Sequence, residues 1–376
     1  MIYFDNSATT PICAPAQQAV LQSLQEDFGN PSSRHFLGLA AAEQVERARH
    51  TVAQKLGAAS EEIYFTSGGT EANNIAVFGA VGAAKKYRNK KKVVISAIEH
   101  ASVLESAKQL EAQGYELMYL SPDRHGNISP AQLWEAVDEN TVLVSMMLVN
   151  NEIGSCLPAA AVKDIILAKQ SPALFHCDCV QAFCKHPVSV RSLGADLVSV
   201  SAHKICGPKG VGALYVKKGI RLVPHTFGGE QEQKLRPGTQ ATALIAGFEA
   251  AVRAYESEEA LVQVKAVNAR LRAALSSIEQ VVFNSDENAS PYILNFSVRG
   301  YKSEVLLNYF SAQGICVSAG SACAKGKPSH VMAALGVDKS IADSAIRLSF
   351  SHLNTTEQAD SFVCALQTAI QTLAHE

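Results

Sequence analysis

The chain reads Ser201-Ala202-His203-Lys204-Ile205-Cys206-Gly207-Pro208-Lys209-Gly210 directly after an apolar run that predicts a buried strand over residues 195–200. Gly207, Pro208 and Gly210 prevent a helix from continuing, so Lys204 is predicted to lie on a turn at the end of that strand. A lysine that is partly removed from water becomes nucleophilic enough to form a Schiff base with a carbonyl cofactor. Taken alone, the pattern also fits an ordinary solvated loop lysine.

A second segment of small residues, 317–328, carries a candidate nucleophile of another kind. Cys323 lies two residues before Lys325 and four before Lys327. Nearby cations and an open loop favour the thiolate, which is the reactive form of cysteine. An ordinary loop cysteine is the alternative for this segment alone. Lysine and cysteine together, each on a glycine-rich loop, indicate one site with two nucleophiles.

Eight ordered segments give the chain a specific resemblance to a known family. They are YFDNSATTP at 3–11, FGNPSS at 28–33, TSGGTEANN at 66–74, EH at 99–100, VNNEIG at 149–154, SAHKICGPKG at 201–210, RPGT at 236–239 and GSAC at 320–323. Over essentially its whole length the chain resembles cysteine desulfurases of the NifS/IscS type, which are pyridoxal 5'-phosphate (PLP) enzymes of the class V aminotransferase group. The resemblance implies the α/β fold type I of PLP-dependent transferases.

The pattern of apolar runs predicts the same class of fold. Short β-rich runs alternate with helical stretches between about residues 50 and 220, which predicts a mostly parallel sheet covered on both faces. The predicted strands are 62–66, 92–96, 141–147, 174–177, 195–200 and 212–216. A charged, alanine-rich helix over 256–278, a strand over 293–298 and helices over 303–312 and 355–373 predict a smaller α+β domain.

We therefore expect two domains, as the length of 376 residues also favours. The predicted large PLP-binding domain spans residues 13–255. The predicted small domain combines residues 1–12 with residues 256–376 and carries the Cys323 loop. The first dozen residues are expected to cross to the small domain or to the cofactor cleft.

The stretch SGGT at 67–70 is the candidate phosphate site. It follows a predicted strand and opens a helix, so bare N–H groups and a hydroxyl lie at the positive end of the helix. A plain strand-to-helix connection would have the same local sequence. The resemblance implies that Gly69 and Thr70 bind the phosphate of PLP, with Ser201 and His203 beside them.

The resemblance also implies how the cofactor ring is held. Asp178 is expected to pair with the pyridine nitrogen, and Gln181 and Asn151 to contact the ring hydroxyl. His100 is expected to stack on the ring and to move protons. From the residues alone, Asp178 also fits a strand-end aspartate paired with a surface lysine, and His100 a core or capping histidine.

The implied reaction converts L-cysteine to L-alanine. Arg347 is expected to bind the substrate carboxylate with help from Asn30 and Asn151, since a guanidinium suits a bidentate contact. Lys204 holds the cofactor and, once released, moves the α-proton. Cys323 takes the sulfur as a persulfide, and its loop is expected to travel to an acceptor.

Partners follow from the same resemblance. Thr239 is expected to reach the phosphate of the neighbouring subunit, which implies a homodimer. The sulfur acceptor is expected to be an iron-sulfur scaffold or a tRNA-thiolation protein. A selenocysteine lyase or a class V aminotransferase would share Lys204, Asp178 and His100. Cys323 distinguishes the desulfurase from these alternatives, because a transaminase does not need it. A sulfur-transfer scaffold without its own turnover is a further alternative.

Composition and charge indicate which partners, location and metal site to expect. The chain has 33 Lys and Arg against 35 Asp and Glu, a net charge of −2, which gives no reason to expect direct contact with nucleic acid or a membrane. No signal segment or long apolar run is present, so a cytoplasmic protein is expected. Three of the nine cysteines cluster at 177, 179 and 184 without the Cys-x-x-Cys spacing of a zinc site. We expect no metal there.

Overall fold

The computed structural model describes residues 1–84, 91–320 and 329–374. Cys323, the predicted sulfur-accepting nucleophile, lies outside the described residues. No helix among the described residues is long and apolar enough to cross a membrane.

The secondary structure alternates through the first 220 residues and then becomes mixed. The strands are β1 Ile2–Tyr3, β2 Ile63–Thr66, β3 Lys92–Ser96, β4 Glu116–Leu120, β5 Thr141–Ser145, β6 Leu174–Asp178, β7 Leu197–Ser201, β8 Gly212–Val216, β9 Val281–Phe283, β10 Ile293–Val298, β11 Ile315–Cys316 and β12 Ala345–Ser349. The helices are α1 Ala14–Gln25, α2 Phe36–Leu56, α3 Gly69–Ala84, α4 Ala101–Ala112, α5 Pro130–Ala136, α6 Ala159–Ala168, α7 Val190–Leu193, α8 Thr242–Ala254, α9 Ser257–Leu275, α10 Ser303–Ala312, α11 His330–Ala334, α12 Lys339–Asp343 and α13 Thr356–Thr372.

The large sheet confirms the predicted fold class. Its strand order is β2-β8-β7-β6-β5-β3-β4, and every neighbouring pair is parallel except the two that β8 makes with β2 and β7. Val93 and Ile95 join one apolar cluster and Val94 joins the other. Successive side chains of a strand point to opposite faces, so both faces of the sheet are covered.

Two strands differ from the sequence prediction. The predicted strand over 141–147 ends at Ser145, and beyond it the Met147 N–H donates to a carboxylate oxygen of Glu99 at 2.6 Å instead of to the backbone of a neighbouring strand. The strand β4 was not predicted, although residues 117–120 are a short apolar run. It lies at the edge of the sheet, and three of its five side chains are exposed.

A second, antiparallel sheet lies in the last third of the chain. Its order is β12-β10-β9, and β1 pairs in parallel with β11. The N-terminal segment therefore reaches this part of the fold, and Asp5 bridges to Ser349 at the end of β12. Helix α8 ends at Ala254 and α9 begins at Ser257. The division into two domains at residue 255 stays a prediction.

The topology places several polar segments at one end of the large sheet. The same direction is shared by β2, β3, β5, β6 and β7 of the large sheet. Their carboxyl ends therefore lie at the same edge of that sheet. Ligand sites of open α/β sheets lie at this edge. The segments that follow these strands supply the candidate site.

Candidate active site

A cavity of about 210 Å³ lies at this edge and gathers most of the predicted site residues. The predicted residues that line it are Gly69, Thr70, His100, Asn151, Asp178, Gln181, Ser201, His203, Lys204 and Arg347. Its wall also includes side chains or backbone that the sequence prediction did not assign, namely Ser7, Ala8, Asn73, Ser102, Met147 and Val180. Residues from both ends of the chain therefore meet at one site.

Lys204 lies on a short 3₁₀ turn, Ala202–Lys204, directly after β7. A Cβ atom at Gly207 would lie 2.8 Å from the carbonyl oxygen of Ala202, so the tight turn excludes a larger side chain there. The Lys204 ammonium donates to the carbonyl oxygens of Ser7 and, at 2.7 Å, of Ala8. The structure confirms the predicted turn position of Lys204, and Lys204 lines the cavity.

The end of the cavity formed by α3 has the features of an anion site. Gly68 has φ +149, and a Cβ at Gly69 would lie 2.8 Å from Val180 Cγ2, so the backbone at the start of α3 is bare. The Ser201 hydroxyl is buried and has no hydrogen-bond partner among the described residues. Burial, together with Lys204, lowers the pKa of the neighbouring His203 to about 3. His203 is therefore a neutral ring at pH 7.

Asp178 ends β6 and is held by two donors. Its carboxylate accepts from the backbone N–H of Val180 at 2.9 Å and from the Asn73 side chain at 2.7 Å. Asp178 is thus a strand-end aspartate, but a buried one, with 5% of its surface exposed. Asn73 was not predicted, although it lies three residues after Thr70 and thus on the same face of α3. Asn73 Oδ1 is buried without a partner among the described residues.

His100 caps α4 and lines the cavity at the same time. Its Nδ1 accepts from the Ser102 N–H at 3.2 Å and lies 2.8 Å from the Ser102 hydroxyl. Burial lowers the pKa of His100, while the Asp178 carboxylate opposes this shift. His100 is therefore a capping histidine that also lines the cavity, and its stacking on a cofactor ring stays a prediction.

Gln181 is oriented from two sides. Its amide nitrogen donates to the Ser7 carbonyl at 3.0 Å, and its amide oxygen faces the Lys185 ammonium at 3.4 Å. Lys185 is buried, and burial lowers its pKa to about 8. Ser7 thus accepts from both Gln181 and Lys204.

Arg347 occupies the middle of β12 and is almost fully buried, with 1% of its surface exposed. Its Nη1 donates to the Asn151 carbonyl at 3.0 Å and its Nη2 donates to the Asp5 carboxylate at 2.8 Å. Its Nε is buried without a partner in the described part of the chain. The guanidinium therefore offers unused donors at the cavity wall.

Two predicted site residues do not lie at the cavity of this chain. Asn30 is exposed, and its side chain accepts from the Ser32 N–H at 2.9 Å, which is a local turn contact. Asn30 is thus not among the residues that line the cavity, and its role in substrate binding stays a prediction. Thr239 is exposed and also does not line the cavity. Its assignment to the neighbouring subunit stays a prediction.

The residues that flank segment 321–328 are tied to neighbours of the cavity. The Ser329 hydroxyl donates to the Glu152 carboxylate at 2.5 Å, and His330 Nε2 lies 2.9 Å from the carbonyl oxygen of Glu99. Glu152 follows Asn151 and Glu99 precedes His100 in the chain. The described chain therefore resumes, at Ser329, beside residues that neighbour the cavity lining.

The cysteines around Asp178 are buried thiols. Cys177 Sγ and Cys179 Sγ lie 3.6 Å apart. Their hydrogen bond and burial hold the pKa of Cys177 well above its usual range, and burial raises the pKa of Cys184 to about 12. Among residues 1–84, 91–320 and 329–374, no group of three His, Cys, Asp or Glu side chains is arranged to hold a metal ion.

Comparisons with known proteins show which family the chain belongs to. The family model of class-V aminotransferases matches residues 2–362, so the chain belongs to the class-V aminotransferase family. Within that family it is a member of the cysteine desulfurases of the NifS/IscS type. The cysteine desulfurase IscS of Photobacterium profundum is 41% identical over 99% of this chain and 93% of the relative.

Solved structures give the same result. A NifS-like protein superposes with a TM-score of 0.93 at 35% identity, covering 99% of this chain and 100% of its own. SspA in complex with cysteine superposes with a TM-score of 0.81 at 34% identity, over 93% of this chain and 99% of its own. The fold is that of the type I transferases, as predicted.

Proposed function

We propose that this protein is a PLP-dependent cysteine desulfurase, which converts L-cysteine to L-alanine and passes the sulfur to a persulfide on Cys323. The observation that carries the proposal is the meeting of Lys204, Asp178 and Arg347 around one cavity. An amine, a buried carboxylate and a buried guanidinium are the groups that such a reaction needs from its enzyme. That SspA was solved with bound cysteine supports the choice of substrate.

The residues present fit PLP. The unpartnered Ser201 hydroxyl and the bare start of α3 at Gly69 are donors for a phosphate. At the other end, the Asp178 carboxylate is fixed by Asn73 and Val180 and suits a protonated ring nitrogen. Bound there, PLP would supply an electron sink for negative charge at the substrate α-carbon.

Each residue of the site has a defined task in the proposal. Lys204 would hold the cofactor covalently through its amino group and, once released from it, would take the substrate α-proton. Asp178 would keep the ring nitrogen protonated, and Gln181 with Asn151 would contact the ring hydroxyl. His100 is neutral near pH 7, so it stacks on the ring without adding charge and can accept a proton.

The remaining residues bind the phosphate and the substrate. Thr70 and His203 complete the phosphate site with Gly69 and Ser201. Arg347 binds the α-carboxylate of L-cysteine through donors that its contacts with Asn151 and Asp5 leave unused.

Sulfur transfer follows from the chemistry of Cys323. Its thiolate attacks the sulfur of bound L-cysteine, so a sulfur–sulfur bond forms while the carbon–sulfur bond breaks. The carbon keeps the electron pair, is protonated and leaves as L-alanine. The persulfide then passes its outer sulfur to an acceptor protein, an iron-sulfur scaffold or a tRNA-thiolation protein.

The proposed assembly is a homodimer. Large apolar side chains are exposed in the segment 21–39, where Leu24 is 62%, Phe28 65% and Phe36 78% exposed. Such a concentration of exposed apolar surface favours a protein interface. Thr239, exposed in the single chain, then becomes available to the partner's phosphate site. The cytoplasmic location stays a prediction from the sequence.

The activity is tested with the purified chain and L-cysteine. We expect release of L-alanine in an amount equal to the sulfur trapped as persulfide or, with a reductant, as sulfide. A scaffold without its own turnover would release no alanine. An aminotransferase would produce a keto acid instead, and either result would overturn the proposal.

Replacing Asp178 with asparagine is expected to reduce desulfuration strongly while leaving the fold intact. Asn keeps the size of the side chain but removes the negative charge that would keep the ring nitrogen protonated. Stabilisation of the carbanion should therefore fall by several kcal/mol, which lowers kcat by a factor of about 10² to 10³. Steady-state alanine release and circular dichroism test this. Turnover equal to that of the wild type would remove Asp178 from the mechanism.

A further inference from the structure

Asp5 and Arg347 form an ion pair at the wall of the cavity. Arg347 Nη2 lies 2.8 Å from Asp5 Oδ1, and the exposed fractions of the two side chains are 1% for Arg347 and 23% for Asp5. Arg347 lines the cavity, whereas Asp5 is not among its lining residues. The carboxylate therefore reaches the guanidinium from outside the space in which a substrate would bind.

The backbones of both residues are fixed by strand contacts. Arg347 exchanges two hydrogen bonds with Ser318, at 2.6 and 3.2 Å, and pairs with Asn295 on the other side. Phe4 and Asn6, on either side of Asp5, bond to Ser349 two residues beyond Arg347. The positions of the two side chains are thus set by the fold, although the residues lie 342 positions apart.

The guanidinium still has donors to offer. Arginine carries five N–H donors, and the contacts with Asp5 and Asn151 use one on each terminal nitrogen. The buried Nε has no partner among the described residues. A buried donor without a partner is costly, and a carboxylate that binds across two guanidinium nitrogens would satisfy it.

We propose that Asp5 is a positioning residue that orients Arg347 and balances its charge before a substrate carboxylate binds. The inference rests on the proposed function, because it takes Arg347 as the group that binds the α-carboxylate of L-cysteine. Without substrate, Asp5 relieves the cost of a lone buried cation. With substrate, two carboxylates share one guanidinium, so Asp5 weakens amino-acid binding and favours release of L-alanine.

Two variants separate charge from orientation. Asp5→Asn keeps an oxygen acceptor beside Nη2 but removes the charge, so the holoenzyme should bind L-alanine about tenfold more tightly than the wild type. Asp5→Ala removes the charge and the contact, so it should bind L-alanine less tightly than Asp5→Asn. Absorbance titration of the holoenzyme with L-alanine measures each dissociation constant.

Two controls show whether the effect belongs to this carboxylate site. Cysteamine has the amine and thiol of cysteine without the carboxylate, so its affinity should be unchanged by Asp5→Asn. Asp360 forms an ion pair with Arg270, at 2.6 Å, between exposed side chains. Asp360→Asn removes an equivalent charge and should leave the L-alanine affinity as in the wild type.

The measurements test charge balancing by Asp5, positioning by Asp5 and the proposed function separately. Unchanged or weaker L-alanine binding by Asp5→Asn contradicts charge balancing, and equal affinities of the two Asp5 variants contradict positioning. If Asp5→Asn does not fold, Asp5→Ser replaces it with the same expected direction. Alanine release from L-cysteine by the wild type is measured in parallel. Its absence overturns the proposed function, whereas normal release with an unshifted Asp5→Asn overturns only the role of Asp5.

Discussion

Replacing Lys204 with alanine is expected to abolish alanine release from L-cysteine and to remove the covalent attachment of PLP. Lys204 ends the turn after β7, and its amino group lies at the cavity wall among backbone carbonyls of Ser7 and Ala8. No other group in the proposal both binds the cofactor covalently and moves the α-proton, so both functions should be lost together. Borohydride reduction followed by peptide mapping should place PLP on Lys204 in the wild type.

Two other lysines make this test specific. Lys209 lies five residues further along the same loop and is exposed, so Lys209→Ala should remain yellow and active. Lys185 is the chemical rival, because its lowered pKa of about 8 makes its amine more available than that of an ordinary lysine. Lys185 does not line the cavity, however. A reducible adduct on Lys185, or one that persists in Lys204→Ala, would contradict the assignment.

The sequence predicted the sheet and its polar edge well, for a physical reason. The central strands are buried on both faces, so each is a short apolar run, and each ends where polar residues begin. Asp178 and Lys204 follow such runs directly, and the parallel arrangement brings them together. The edge strand β4 was missed although residues 117–120 are also a short apolar run that ends at polar residues.

From the sequence, the first dozen residues were predicted only to cross to the small domain or to the cofactor cleft. Ser7 and Ala8 act through carbonyl oxygens, which every residue has, so no side-chain pattern marks them. Asp5 contacts Arg347 only because Phe4 and Asn6 align with β12, and local periodicity carries no information about such a register between distant segments. Asn73 was recoverable from its helical spacing to Thr70.

Cys323→Ser is expected to keep the yellow cofactor and still bind L-cysteine, yet release no alanine and no sulfide. Serine replaces the sulfur nucleophile with a hydroxyl that is not ionised at neutral pH, so the carbon–sulfur bond of the substrate has no acceptor for its sulfur. The functions of Lys204, Asp178 and Arg347 do not depend on this thiol. Binding should therefore survive while turnover is lost, which an absorbance titration and an alanine assay measure separately.

The other cysteines are the controls for the assignment of Cys323 as the sulfur-accepting nucleophile. Cys177, Cys179, Cys184 and Cys206 are buried, and burial or mutual contact raises the pKa of Cys177, Cys184 and Cys206, which disfavours the thiolate. Cys364 is exposed on α13, so Cys364→Ser is the matched control and should keep full activity. After brief exposure to L-cysteine without reductant, mass spectrometry should find the additional sulfur on the peptide that contains Cys323. A persulfide mainly on another cysteine, or undiminished alanine release by Cys323→Ser, would favour a lyase or aminotransferase that does not use this thiol.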